Sequence, residues 1–353
     1  MTNQAQLAAA WDRFAADLTA MGHDLLASAP TDPDRVDALR FLLRQLAYRE
    51  EQFVEFPRGT SPEFFLPESP TRKIFADCPD TIYRQFNVLP HATYRVVGTR
   101  GDSPYISFTV YRAAVTDRVV ADLHDGEIEI ADDGTFSLTV GGPDQRTNWL
   151  DLGDDGAFVI IREYCHDRAG GAKATFEVEQ LAPKPTHRPE PDAAVFESAL
   201  AIIGSGLTFS NEATIKLSAA LRERPNVMNE AAADLVSEMA GTPHNHYQLC
   251  YVSLDPGQAL ELELTPPPCR YWSVHLNNWW LESPEFRDGQ SVCINDSKAM
   301  RDPDGTVRML VGPDDPGEGN WLDTKGRSET ILLARYLLPE DELPPIVTRL
   351  ITI

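Results

Sequence analysis

Asn148-Trp149-Leu150-Asp151 recurs as Asn320-Trp321-Leu322-Asp323, 172 positions later. Three other matches precede it in chain order. Pro79 and Tyr83 fall on Pro243 and Tyr247 at an offset of 164. Tyr105-Ile106-Ser107 falls on Tyr271-Trp272-Ser273 at 166, and Asp133-Gly134-Thr135 on Asp304-Gly305-Thr306 at 171. At 172, Tyr164 also falls on Tyr336. Offsets that climb slowly are what short loop insertions produce, whereas chance matches scatter. The chain reads as one unit written twice. Asp-Gly-Thr is a hairpin turn entering a strand. Asn-Trp-Leu-Asp reads as a corner whose indole packs on a sheet while Asn and Asp satisfy turn amides. Trp149 and Trp321 are therefore expected to be largely buried.

Outward from these motifs, residues 79–181 break into short runs rich in β-branched and aromatic residues. They include 94–98, 105–111, 127–130, 135–140 and 158–164, with Gly, Asp and Pro between them. Before them, Leu7, Trp11, Phe14, Leu18, Met21 and Leu25 recur at steps of three and four, the spacing of one helical face. Asp32-Pro33 suits a helix start, and Val36, Leu39, Leu43, Leu46 and Phe53 continue an apolar stripe. A Pro-rich linker spans 182–191. Helical spacing returns at Phe196, Ala199, Leu200, Ile203 and Leu207, then at Leu217, Leu221, Leu235 and Met239, and strands resume at Tyr247. The expected fold is α+β: tandem antiparallel β-sandwich or jelly-roll units, each preceded by helices. The first domain is 1–182 and the second 183–353.

The chain has 353 residues, 31 Lys and Arg against 54 Asp and Glu, and a formal charge of −23. Such a surface repels phosphate backbones and anionic headgroups, which argues against nucleic-acid and membrane partners. Asp12 and Asp17 interrupt the first apolar stretch, so no signal peptide is expected, and no run reaches the ~18 apolar residues of a membrane span. Cys78, Cys165, Cys250, Cys269 and Cys293 are scattered and odd in number, without CxxC, which fits reduced thiols in the cytoplasm.

Cys269-Arg270-Tyr271-Trp272-Ser273-Val274-His275-Leu276, followed by Asn320-Trp321-Leu322-Asp323-Thr324 and Gly326, resembles the C-terminal signature of the domain-of-unknown-function family DUF1214. Pro79-Asp80-Thr81-Ile82-Tyr83 and Tyr94-Arg95-Val96 resemble the N-terminal half of its longer members. The resemblance spans roughly residues 75–340. It implies kinship, a tandem β-sandwich and a bacterial source, with no agreed activity and no catalytic residue to carry over. Ser273 and Asn277 match the polar positions of that strand; His275 departs from the pattern.

The strand from Tyr271 to Trp280 carries the candidate site. Alternate residues share a sheet face, so Tyr271, Ser273, His275, Asn277 and Trp279 form one polar-aromatic row. Trp272, Val274, Leu276, Asn278 and Trp280 form the other, packed row. The first row suits a partly solvent-accessible pocket wall for a small organic ligand. His275, with an ordinary pKa of about 6.5, is the candidate acid–base catalyst. Tyr271, Ser273, Asn277 and Trp279 would orient the substrate. The competing reading is a noncatalytic binder of a sugar-like or lipid-like ligand, or an assembly module. Self-association is left open. No metal is expected: His244 and His246 lack a third ligand at short spacing, and His275 would join them only from a neighbouring strand. Gly204-Ser205-Gly206 lacks the context of a dinucleotide loop, and there is no Walker motif or nucleophile elbow. No cofactor is called for.

Overall fold

The structure, a computed structural model, describes residues 3–113, 118–188, 190, 192–231, 241–284 and 291–353. The expected helical positions Leu235 and Met239, and the linker prolines Pro189 and Pro191, lie outside them. The chain opens with α1 (Asn3–Ser28), α2 (Asp32–Glu50) and a π-helical turn (Glu51–Glu55). The first β unit follows as β1 (Thr81–Asn87), β2 (Thr93–Thr99), β3 (Tyr105–Arg112), β4 (Val119–His124), β5 (Thr135–Gly141), β6 (Trp149–Leu150), β7 (Gly156–Tyr164) and β8 (Thr175–Ala182). Next come α3 (Ala193–Arg222) and β9 (Asn229–Glu230). The second unit comprises β10 (Asn245–Ser253), β11 (Gln258–Leu264), β12 (Tyr271–Asn277), β13 (Cys293–Asn295), β14 (Val307–Gly312), β15 (Asn320–Asp323), β16 (Glu329–Leu337) and β17 (Val347–Thr352).

The two units share one strand order. The sheets β1-β7-β3-β4 and β6-β5-β2-β8 of the first correspond to β10-β16-β12-β13 and β15-β14-β11-β17 of the second, where β9 adds an edge beside β10. Within each unit the two sheets pack face to face. Phe86, Val96, Phe108, Leu138 and Val159 fill the first core, and Val252, Leu262, Trp272, Val274 and Leu332 the second. Trp272, Val274 and Leu276 are thus the packed row that alternation placed inside.

Register corrects one alignment. Tyr164 stands opposite Thr81 and Tyr105, and Leu337 stands opposite Asn245 and Tyr271. Tyr164 is therefore equivalent to Leu337, an offset of 173, and not to Tyr336. A one-residue slip moves a side chain to the other face of the sheet. At the corrected offset Arg162 falls on Arg335.

The repeated corner is built as expected in its amides and differently in its burial. Asn148 and Asn320 each donate to two backbone carbonyls, Glu129 and Ser137 in one unit, Met300 and Arg308 in the other. Each indole N–H donates to a glycine carbonyl, Gly141 or Gly312. Yet Trp149 and Trp321 are only partly buried, because each lies on an edge strand. Residues 127–130, expected as a strand, form an irregular segment: the Asn148 amide bonds both the N–H and the C=O of Glu129, in place of a ladder. Trp321→Ala is expected to cost about 1–3 kcal/mol, less than the ~3–5 of a fully buried aromatic. A urea midpoint unchanged from wild type would show that the corner carries no stability.

The helices also depart from expectation. Thr31, not Asp32, caps α2, accepting the Asp34 N–H at 3.3 Å. Val36, Leu39 and Leu43 face outward, as does Trp11 of α1. The buried face of α2 instead carries Asp34, Asp37, Ala38, Phe41, Leu42 and Gln45. Arg327 of the second unit explains this inversion, since it bonds Asp34 and Asp37 together. Contrary to expectation, α3 is long and apolar enough to cross a membrane by length and composition. Here its Leu200, Ile203, Leu207 and Leu221 pack in one cluster with Phe14 and Leu25 of α1 and with Leu249 and Leu333 of the second unit.

Candidate functional site

Three layers line a partly open cavity of about 160 Å³: the outer sheet face of each unit, and the helices. Two-residue alternation puts Ile160, Arg162 and Tyr164 of β7 on one face, and Leu333, Arg335 and Leu337 of β16 on its counterpart. In register, Arg162 lies between Tyr83 and Ser107, and Arg335 between Tyr247 and Ser273. Each unit thus contributes a Tyr-Arg-Ser row. The faces meet where Tyr105 and Tyr164 of the first unit cluster with Tyr271 and Leu337 of the second. Arg162 donates to Thr109 and Tyr111. Arg335, 2% exposed, donates to the Tyr164 hydroxyl at 3.3 Å and the Ala76 carbonyl at 3.0 Å, and lies over the Tyr247 ring. Its Nε has no hydrogen-bond partner.

The helical wall brings Gln45, Tyr48 and Arg49 from α2, Gln52 from the π turn and Phe209, Ser210, Ala213 and Leu217 from α3. Arg118 enters just before β4. Four guanidinium groups line this space, and the described lining holds no carboxylate. The Nε atoms of Arg49 and Arg118 and the amide nitrogen of Gln45 are buried without partners. Burial, with the Arg118 charge adding to it, lowers Arg49 to about 10. Burial opposes the charge on Arg335 too, but its Cys78 and tyrosine neighbours more than offset that, and its pKa is raised. Burial also raises Tyr83 and Tyr247, so both are neutral hydroxyls at pH 7.

The row expected from sequence lies one strand away. Tyr271, Ser273, His275 and Asn277 are fully buried, Trp279 is 5% exposed, and none of the five lines the cavity. The expectation of partial solvent access is corrected accordingly, because β16 stands between β12 and β10 and takes the cavity wall. Tyr271 donates to Asp80 at 2.9 Å. Ser273 Oγ, both His275 ring nitrogens, the Asn277 amide atoms and Trp279 Nε1 have no hydrogen-bond partner. β12 ends at Asn277, so alternation stops there: Trp279 and Trp280 both enter the helical layer. Burial, then the Arg335 charge, push His275 well below 6.5. A ring kept neutral in this way does not titrate near neutrality, as the acid–base reading required. Two of the arginines were readable: Arg335 interrupts the otherwise apolar run Ile331–Leu337, Arg162 follows the apolar run 158–161, and the offset of 173 aligns them.

His244 meets neither His246, which is exposed, nor His275. It reaches across the unit boundary to His124 and Glu127, with ligand atoms within 4.8 Å of one another. The proton positions suit a clasp better than a metal. His124 Nδ1 accepts the Gly126 N–H at 3.0 Å, which leaves its proton on Nε2, and His244 Nε2 pairs with Asp122 at 3.2 Å. The Asp122 hydrogen bond raises His244 above 6.5 despite partial burial, and Glu127 acts in the same direction. Burial lowers His124, and the His244 charge adds to that. For His244 the folded state favours the proton. Its stabilisation is complete below the unfolded pKa of about 6.5 and disappears as pH rises through the higher folded value. The stability advantage of wild type over His244→Gln is expected to be largest below about pH 6.5 and to shrink above it. A difference constant from pH 5 to 9 would remove the charged clasp.

Residues 252–341 match the model of the family described as "Protein of unknown function (DUF1214)". The second β unit is similar to this family over that range. The matched range supplies Leu333 and Arg335 to the cavity; Tyr247 and Leu249 stand just before it. Along its whole length the chain is similar to the crystal structure of an uncharacterized protein from Burkholderia cenocepacia. The two are 28% identical with a TM-score of 0.91, over 99% of this chain and 98% of that one. The VPA0106 protein from Vibrio parahaemolyticus shares the fold at 11% identity and a TM-score of 0.51, over 94% and 100%. No curated protein matches.

Proposed function

We propose that this protein binds a small organic anion, an acid with an apolar body, in the cavity between its two β units and its helices. One observation carries the reading: a chain of charge −23 turns four arginines, and no described carboxylate, into a single internal space. Like charges gathered in one space are costly, and the Nε atoms of Arg49, Arg118 and Arg335, buried without acceptors, add to the cost. An acid group supplies both the charge and the acceptors, and charge-assisted bonds to arginine are the strong ones. Ile160, Phe209, Leu249 and Leu333 line the rest and suit an aliphatic chain.

Holding a ligand, rather than proton transfer by His275, is the role this geometry favours. On this reading the partner is a small molecule, and the protein works in the cytoplasm with its cysteines reduced. The test is calorimetric titration with valerate and with its neutral isostere valeramide. Valerate is expected to bind at least about tenfold tighter. Equal affinities, or no binding of either, would overturn the proposal.

A further inference from the structure

We infer that the ligand carries two acidic groups, the second held by Arg49 and Arg118, where the end of α2 meets the start of β4 in the same cavity. This rests on the anion-binding reading and names its substrate class: a short aliphatic diacid.

The four arginines come from different elements of the lining. Arg162 and Arg335 stand on the sheets, fixed by Thr109, Tyr111, Tyr164 and the Ala76 carbonyl. Arg49 is the penultimate residue of α2, just before the π turn, a helical irregularity common at functional sites. Its Nη2 donates to Ser210 of α3 at 2.6 Å, and its Nε finds no acceptor. Arg118 presents a second buried Nε without a partner, and Gln45 an amide nitrogen. A single acid group on the sheet wall would leave this pair of like charges uncompensated. A second acid group supplies Arg49 and Arg118 with a counter-charge of their own. The volume of about 160 Å³ is close to the ~150 Å³ of a cavity that admits benzene. That restricts the spacer to a few carbons.

Helix α3 is shaped around Arg49. A Cβ at Gly206 would lie 2.5 Å from Arg49 Nη1 and 2.7 Å from its Cζ. Glycine inside a helix costs about 1 kcal/mol relative to alanine. Here it leaves the guanidinium room beside Ser210.

The experiment compares acids of equal carbon number by calorimetry on the full chain: succinate with butyrate, and glutarate with valerate. In the better-fitting pair the diacid is expected to bind at least about tenfold tighter. Arg49→Gln should bring that ratio close to one. Gly206→Ala should do the same by displacing Arg49, with thermal melts of both unliganded variants reporting on the fold. Arg335→Gln should weaken diacid and monoacid together. Valerate binding with a wild-type ratio of one would overturn the second acid group and leave the anion reading standing. A diacid preference that survives both Arg49→Gln and Gly206→Ala would overturn the placement. Failure of every acid to bind would overturn both readings.

Discussion

Trp280→Ala is expected to lower the unfolding free energy by about 3–5 kcal/mol, the range for a large aromatic removed from a closed core. The Trp280 side chain is fully buried and stacks on Phe41 of α2 at 5.7 Å, and its indole N–H donates to the Asp34 carbonyl at 2.8 Å. The surrounding segment fastens α2 a second time, through Arg44 and Glu282 at 2.8 Å. Alanine would leave a cavity between helix and sheet and remove the indole's bond to the Asp34 carbonyl. Because α2 carries Gln45, Tyr48 and Arg49 to the cavity, acid binding should fall with stability. Chemical denaturation measures the first effect and calorimetry the second. A loss under about 1 kcal/mol would mean that α2 is held elsewhere.

Arg335→Met should separate binding from stability. Affinity for valerate is expected to fall about 100-fold, since a charge-assisted bond is worth about 1.5–3 kcal/mol and a bidentate pair more. The unliganded protein should lose no more than about 1 kcal/mol. Arg335 is buried and has no carboxylate partner among the described residues; the desolvation of its charge is opposed by Cys78, the Tyr164 and Ala76 bonds and the Tyr247 ring. Methionine keeps the apolar stem and removes the charge. A residue retained for its ligand should behave this way. Parallel losses of stability and affinity would mark Arg335 as structural, and the anion reading would lose its central residue.

Strand alternation separated the two faces of β12 correctly, because a period of two follows from backbone geometry alone. Which face would be wet was a different question. The sequence offered polarity as its guide, and the polar row of Ser273, His275 and Asn277 proved to be fully buried. The same guide failed on α2, where Val36, Leu39 and Leu43 face out while Asp34 and Asp37 face in. Arg327 lies nearly three hundred residues downstream and makes those aspartates acceptable inside. Local hydrophobicity carries no record of such a partner.

The sequence by itself determined the architecture: two units, their turns and corners, most strands, and the helices before each unit. These follow from short-range pattern, spacing and turn chemistry, and the repeat supplied each reading twice. Only the tertiary structure decided where a site could form. Strand order places β16 between β10 and β12, so the cavity wall belongs to Arg335 rather than to His275. Packing of the units and helices brings Arg49, Arg118, Arg162 and Arg335 to one space. Each arginine alone is ordinary; their convergence depends on contacts between residues far apart in the chain, which no local window of sequence contains.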